Sequence, residues 1–243
     1  MRDMRFTTPQ LVLIPGLAAD ARMWRAQTAA LAEWQPVVAT AHAQQDSIEA
    51  MAAAVLDQHP GVLLLCGASM GGMVAMEAAR QAPTRVRGLA LLGTNARPET
   101  PEMRAVREAA VALFAQGRVE EVIRPNVGFA FHAGQAADPA LVQAYLDFVL
   151  DAGADTLIRQ NRAVMARPDA RLHLPSVRCA TLVMCGENDV LTPPECSREI
   201  AGLVPRAELI LLPECGHMLT MEQPEAVNTA LIGWLEGFRR PGG

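Results

Sequence analysis

Short, uninterrupted apolar runs recur along the chain and alternate with amphipathic or alanine-rich stretches. Such runs are typical of strands in a parallel sheet covered on both faces, and the stretches between them predict helices. This alternation is regular over the first hundred residues, which predicts an α/β fold, a mostly parallel sheet with helices on both faces. The predicted strands cover residues 11–14, 37–40, 62–66, 88–92, 180–185 and 207–212.

The pattern changes between residues 98 and 168, where it becomes helical and poor in strands. Because this segment lies between two predicted strands, it predicts a helical cap inserted into the sheet domain and covering a pocket. We therefore expect a core of residues 1–96 and 171–243 and a cap of residues 97–170. The four predicted cap helices lie near residues 101–116, 118–125, 139–151 and 153–166.

The strand at 62–66 runs into a turn with Ser69 at its tip, flanked at two residues' distance by Gly67 and Gly71. A serine on a tight strand-to-helix turn needs small residues at these positions, and the following helix favours negative charge near its first amides. A nucleotide-binding loop fits less well, because the second glycine of a dinucleotide fingerprint is missing and no lysine follows. The turn predicts that Ser69 is a nucleophile.

Asp189 follows the predicted strand at 180–185, at the edge of a parallel sheet where ligands gather. The next helix already has a capping box, with Thr192 as the predicted cap and Glu195 as its partner. Asp189 lies upstream of that cap, so we predict that it is the acid that orients a catalytic histidine, with Glu187 as the alternative.

His217 follows the last predicted strand and is preceded by the flexible Gly216. Its position after a strand, and after the serine and the acid in chain order, predicts that it is the general base. His42 and His59 have weaker contexts, because they are expected in polar helical surroundings.

The composition narrows the classes of function that remain. A net charge of −5 gives no basic surface stripe, which argues against a nucleic-acid partner. All 21 basic residues are arginine, which excludes a Schiff-base lysine and a lysine-bound cofactor. Five cysteines without CxxC spacing indicate reduced thiols and no zinc site. Apolar runs are shorter than the ~20 residues of a membrane span, so we expect a cytoplasmic protein.

Ser69, Asp189 and His217, in this order, resemble the catalytic triad of the α/β-hydrolase family. The sequence is similar to its small bacterial serine carboxylesterases, including those acting on pimeloyl-carrier-protein methyl ester, and to enol-lactonases. The resemblance covers residues 11–238. It implies an α/β-hydrolase fold, a small-molecule ester substrate, no cofactor or metal, and oxyanion donors at the amides of Leu17 and Met70. The family usually carries His-Gly where this chain has Pro15 and Gly16, a change that leaves these main-chain donors in place.

The expected activity is hydrolysis of a carboxylic ester, thioester or lactone through an acyl-enzyme. C–C bond hydrolysis, cofactor-free oxygenation of a ring, and non-catalytic binding of a small molecule are alternatives on the same scaffold. Aromatic residues of the cap predict an apolar pocket, or else hold the cap helices together. Cap arginines are candidates for binding a substrate carboxylate, or else lie on a solvated face. The candidate pocket residues are Phe129, Phe131, Tyr145, Arg124 and Arg159. The sequence does not indicate an oligomeric state.

Overall fold

A computed structural model describes residues 9–239 of the 243-residue chain. Its centre is a sheet of six parallel strands in the order β2-β1-β3-β4-β5-β6. The predicted parallel α/β architecture is therefore confirmed. The strands are β1 Gln10–Ile14, β2 Val37–Val38, β3 Leu63–Ala68, β4 Val86–Leu92, β5 Ala180–Gly186 and β6 Ala207–Leu212.

Helices connect the strands. Within the described residues the α-helices are α1 Arg25–Ala30, α2 Ile48–Gln58, α3 Met70–Gln81, α4 Pro101–Phe114, α5 Val119–Asn126, α6 Pro139–Asp151, α7 Gly153–Met165, α8 Pro194–Leu203, α9 Leu219–Glu222 and α10 Pro224–Glu236.

The alanine-rich stretch of residues 20–34 does not form one continuous helix. The chain forms a 3-10 turn at Ala21–Trp24, the short helix α1, and a second 3-10 turn at Ala32–Trp34. The first turn is tightened because the Asp20 side chain accepts a hydrogen bond from the amide of Arg22. It also buries the indole of Trp24 completely, so tertiary packing overrides the alanine-rich helical pattern.

Neighbouring residues of each strand pack on opposite faces of the sheet, as the pleat requires. On β3, Leu63 and Leu65 pack into a core shared with α2 and α3. Leu64 and Cys66 pack into a second core, which includes α10. This core also includes side chains of residues 97–170, here called the cap segment, such as Phe148. The apolar runs are continuous because both faces are covered.

The strand order reverses beside β1, because β2 lies on one side of it and β3 on the other. Connections leaving the carboxyl ends of β1 and β3 therefore diverge and leave a crevice between them. The loop after β1 carries Leu17, and the turn after β3 carries Ser69. This arrangement brings two distant parts of the sequence to one edge of the sheet.

The helices α4 to α7 lie in sequence between β4 and β5, where the helical insertion was expected. They cover the carboxyl edge of the sheet, and Phe114 and Phe148 are buried in the second core. The helix positions match the sequence pattern closely. The division of the chain into a core and a cap at residues 97 and 170 stays a prediction.

His42 and His59 do not lie in polar surroundings, contrary to the expectation from sequence. Both side chains are buried, and neither ring nitrogen of His42 has a hydrogen-bond partner within residues 9–239. Burial lowers the pKa of His42 from 6.5 to about 4. The folded protein therefore holds this imidazole neutral.

The turn after β3 is expected to tolerate no side chain at Gly71. A Cβ atom there would overlap the carbonyl oxygen of Ile14 on β1, which is backbone and cannot move aside. Gly71→Ala should therefore lower the free energy of unfolding by about 3 kcal/mol, measured by urea denaturation. Gly233→Ala, in α10, is the matched control, because a Cβ atom there has no close neighbour. This substitution should raise the free energy of unfolding by about 0.5–1 kcal/mol. Equal stability of Gly71→Ala and wild type would contradict the packing described.

His42 is expected to make folding sensitive to acid. Above pH 6.5 the imidazole is neutral in both states, and below it the unfolded chain binds a proton that the folded protein does not. The free energy of unfolding should fall by about 3 kcal/mol between these two pKa values. Urea denaturation of wild type and His42→Phe across this pH range isolates the effect, because the variant lacks this contribution. Parallel curves for the two proteins would count against it.

Candidate active site

Ser69 occupies a strained turn between β3 and α3, with φ 52° and ψ −118°. Non-glycine residues in this positive-φ region cost about 1–3 kcal/mol, so the surroundings must hold the conformation. They do so through the main chain: the Ser69 amide donates to Leu92 O at 2.8 Å. The Ser69 carbonyl in turn accepts from the amide of Gly72 at 2.9 Å and from the hydroxyl of Thr94 at 2.7 Å. The Ser69 hydroxyl makes no capping hydrogen bond to α3 and is left for another partner.

His217 supplies that partner from the loop after β6. Its Nε2 lies 3.0 Å from Ser69 Oγ, and its Nδ1 lies 2.8 Å from Asp189 Oδ2. The structure thus brings together the serine, the histidine and the acid singled out in the sequence. They form one continuous line of hydrogen bonds across the carboxyl edge of the sheet.

The carboxylate of Asp189 is fully buried yet has partners for both oxygens. Oδ1 accepts hydrogen bonds from the amides of Leu191 and Thr192, each at 2.9 Å. Burial alone would raise the pKa of Asp189, but the charge of His217 and these hydrogen bonds outweigh it and lower the pKa below its usual range. The site therefore holds a buried anion beside the imidazole.

Thr192 does not cap the next helix, which corrects the expectation from sequence. Helix α8 begins at Pro194, and its preceding residue Pro193 has no side-chain donor or acceptor. The Thr192 hydroxyl instead donates to Asp189 Oδ2 at 2.8 Å and lies 3.3 Å from His217 Nδ1. Pro194 has no amide hydrogen, so one of the two donors that a cap at Thr192 would bind is missing.

The loop that carries His217 is bound to the cap segment as well as to the sheet. The amides of His217 and Met218 both donate to Ala130 O, at 3.1 and 3.0 Å. The buried carboxylate of Glu222 accepts from the amides of Gly216, at 3.0 and 3.1 Å, and of His132, at 2.8 Å. Burial raises the pKa of Glu222 despite these bonds. This carboxylate was not predicted from the sequence, and one of its partners, the amide of His132, lies 90 residues away.

The amides of Leu17 and Met70 flank Ser69, the first from the loop after β1 and the second from the first residue of α3. Both residues line the cavity above Ser69. Neither amide donates a hydrogen bond to another group within residues 9–239. Two unused N–H groups, one of them at a helix N-terminus, make this place suited to a negatively charged oxygen.

A cavity of about 440 Å³ opens beside Ser69 and His217, within the range usual for small-molecule sites. Its walls are mainly apolar side chains from the loop after β1, from α3 and from the cap segment. Among the predicted pocket residues, Phe129 and Tyr145 line it. Phe131 lies behind Tyr145 instead, buried, with its ring centroid 5.4 Å away in an edge-to-face contact.

Arg124 and Arg159 are not among the residues that line this cavity, so its geometry gives no support to their binding a substrate carboxylate. Arg124 pairs with Glu120 one helical turn earlier, at 2.7 Å on the exposed face of α5. Arg159 donates from Nη2 to the carbonyl of Ala43 at 2.9 Å, and so joins α7 to the chain after β2. The sequence shows that these two residues are polar, but it does not show which neighbours they contact in the folded protein.

Arg107, which the sequence analysis did not single out, lines the cavity from α4. Its Nε donates to Glu99 Oε2 at 2.7 Å and its Nη1 to Asn161 Oδ1 at 2.8 Å. Glu99 is shared with Arg167, so this cluster of two arginines and one glutamate carries a net positive charge. Nothing in the local sequence distinguishes Arg107 from the other arginines of the helix.

Within residues 9–239, the side chains of His, Cys, Asp and Glu form no cluster of three that could ligate a metal ion. No helix in the same part of the chain combines the length and apolarity that crossing a bilayer requires.

The chain is similar to known proteins over most of its length. Residues 11–230 match the alpha/beta hydrolase family. A pimeloyl-[acyl-carrier protein] methyl ester esterase from Nitrosomonas europaea is 27% identical over 233 residues, covering 89% of this chain and 92% of that protein.

Two solved structures extend the comparison. An esterase from Thermogutta terrifontis, with malate bound, superposes with a TM-score of 0.86 at 27% identity, over 96% of this chain and 92% of that one. An enol-lactonase from Burkholderia xenovorans shares the fold, with a TM-score of 0.83 at 22% identity, over 96% and 94% of the two chains.

Proposed function

The chain belongs to the alpha/beta hydrolase family, and from this premise we propose that it hydrolyses a carboxylic ester, with Ser69 as nucleophile. The observation that carries the proposal is the line of hydrogen bonds from Ser69 Oγ through His217 to Asp189, 3.0 and 2.8 Å long. These distances lie within the reach needed for proton transfer.

The reaction proceeds in two halves. Ser69 Oγ attacks the ester carbonyl carbon while its proton passes to His217 Nε2, and the carbonyl oxygen becomes negative. The tetrahedral intermediate collapses, the C–O bond to the alcohol breaks, and His217 gives its proton to the departing oxygen. Water then attacks the acyl-serine, again losing a proton to His217, and the acid leaves as Ser69 regains its hydrogen.

The amides of Leu17 and Met70 would bind the negative oxygen of both tetrahedral intermediates. They are main-chain donors without another partner within the described residues, so no existing bond has to break when the charge develops. Preorganised donors of this kind contribute about 2.7–4 kcal/mol each to transition-state stabilisation. Proline at position 15 leaves both donors intact, because neither belongs to that residue.

Asp189 would hold His217 in the tautomer that presents a bare Nε2 to the serine. The buried carboxylate accepts the Nδ1 proton and stabilises the imidazolium that forms during each half of the reaction. Its lowered pKa means that the carboxylate stays charged at neutral pH. The hydroxyl of Thr192 and two backbone amides fix its orientation.

The relatives and the cavity support the same class of reaction. The similar proteins from Nitrosomonas europaea and Thermogutta terrifontis are both esterases. The largely apolar cavity suits an ester with an apolar acyl or alcohol part, and thioesters and lactones offer the same carbonyl chemistry.

Replacing the nucleophile is the first test. Ser69→Ala should reduce kcat for p-nitrophenyl esters by about 10⁴-fold or more, because no other group can form the acyl-enzyme. The assay covers acyl chains from acetate to decanoate. Ser176→Ala is the matched control, since that serine is exposed and does not line the cavity. Equal turnover by Ser69→Ala and wild type, or no turnover of any ester by wild type, would rule out the proposal.

Replacing the acid tests the line of hydrogen bonds. Asp189→Asn should lower kcat by about 10³–10⁴-fold with a small change in KM, because the amide favours the wrong histidine tautomer. Glu187→Gln is the control, since that side chain is exposed two residues away and was the alternative acid in the sequence. A large loss in Glu187→Gln with none in Asp189→Asn would reverse the assignment of the acid.

A further inference from the structure

The loop after β1 has to hold the Leu17 amide in place, and it does so in an unfavourable conformation. Ala18 has φ 56°, in the left-handed region that residues with a side chain rarely occupy. The loop also lies tightly against the nucleophile, because a Cβ atom at Gly16 would be only 3.3 Å from Ser69 Cβ. Such a conformation persists only where surrounding contacts determine it.

One of those contacts lies inside the loop. The amide of Ala19 donates to Gly16 O at 3.2 Å. A trans peptide places its C=O and N–H on opposite sides, so this bond turns the Leu17 N–H away from the loop interior. Leu17 itself lines the cavity beside Ser69.

The second contact comes from the cap segment. Oε1 of Gln160, on α7, accepts a hydrogen bond from the amide of Ala18 at 2.7 Å, across 142 residues of sequence. Gln160 is 1% exposed and Ala18 is 3% exposed. A buried amide side chain is costly unless its polar atoms are bonded, so this pair is a specific contact. It fixes the peptide that directly follows the one carrying the Leu17 N–H.

We propose that Gln160 is a positioning residue for the oxyanion site, so that α7 sets the orientation of the Leu17 amide as well as covering the cavity. The inference rests on the proposed function, because it assigns the Leu17 amide to a developing negative charge. Gln160 is not among the residues that line the cavity, so its effect passes through the loop and leaves ground-state substrate contacts unchanged.

Contacts other than that of Gln160 also dock α7 against the rest of the protein. The neighbouring Arg159 donates from Nε and Nη2 to Ala43 O, at 3.3 and 2.9 Å. Leu157, Ala163 and Val164 of the same helix are buried in the two cores. Arg159 therefore offers a matched variant, because its hydrogen bonds join α7 to a different loop and none of them reaches residues 16–19.

The test compares Gln160→Met with Arg159→Gln. Methionine keeps the length of glutamine but offers no good acceptor to Ala18. We expect kcat for a p-nitrophenyl ester to fall about tenfold to hundredfold, less than for complete removal of an oxyanion donor, with KM within about twofold of wild type. Arg159→Gln should stay within about twofold of wild type in both constants.

A second readout reports on the oxyanion itself. Ser69 Oγ adds to the carbonyl carbon of an alkyl trifluoromethyl ketone while the serine proton passes to His217. The former carbonyl oxygen is left with a negative charge, as in the tetrahedral intermediate. Its affinity should fall in Gln160→Met by the same factor as kcat, and stay unchanged in Arg159→Gln. Equal losses in the two variants would show that α7 docking alone is responsible, and unchanged kcat and ketone affinity in Gln160→Met would likewise overturn the inference.

Hydrogen exchange separates this inference from the proposed function. Amides of residues 16–19 should exchange faster in Gln160→Met than in wild type, whether or not any ester is turned over. Ser69-dependent turnover with unchanged exchange would overturn the positioning role alone, whereas absence of turnover in wild type would overturn the proposed function. Should Gln160→Met fail to fold, Gln160→Leu also removes the acceptor for the Ala18 amide, with a smaller apolar side chain. Its kcat should fall while KM is retained, and an unchanged kcat would refute the inference.

Discussion

The turn between β3 and α3 is the constraint on which the candidate site depends. Ser69 is held at positive φ because the chain must reverse from a buried strand into a helix over a single residue. That reversal presses the first turn of α3 against the end of β1, where Gly71 meets the carbonyl of Ile14. The same contact places the loop after β1 beside the serine, so the two elements that flank the crevice are fixed by one piece of packing.

The other side of the site is built from buried polar groups whose hydrogen-bonding capacity is largely used. Asp189 is fully buried. Besides His217, its carboxylate has three donors, which are the amides of Leu191 and Thr192 and the Thr192 hydroxyl. A buried carboxylate with so many donors is held in one orientation, and it therefore orients the imidazole that is hydrogen-bonded to it. Rigidity at Asp189 is therefore what sets the distance between His217 and Ser69.

The cap segment contacts both halves of this arrangement. Ala130 accepts hydrogen bonds from the amides of His217 and Met218, and Gln160 accepts one from Ala18. These contacts come from different parts of the insertion, one from the segment before α6 and one from α7. Both bind backbone amides of loops that end at the crevice. The cap segment thus covers the cavity and also holds the loops on its floor.

The sequence by itself determined the parallel sheet, the turn at Ser69 and the identity of the three side chains that meet there. Continuous apolar runs, glycine spacing and the position of Asp189 and His217 just after strands are local signals, and parallel strands bring their carboxyl ends to one edge whatever the helices do. Tertiary structure alone decided the partners of Thr192, Arg107, Arg159 and Gln160. Periodicity shows which residues share a helix face, but the neighbour of that face depends on how helices far apart in sequence pack together. Phe131 and Tyr145 show this limit of the sequence. Both were predicted to line the pocket, but Tyr145 lines the cavity and Phe131 lies behind it.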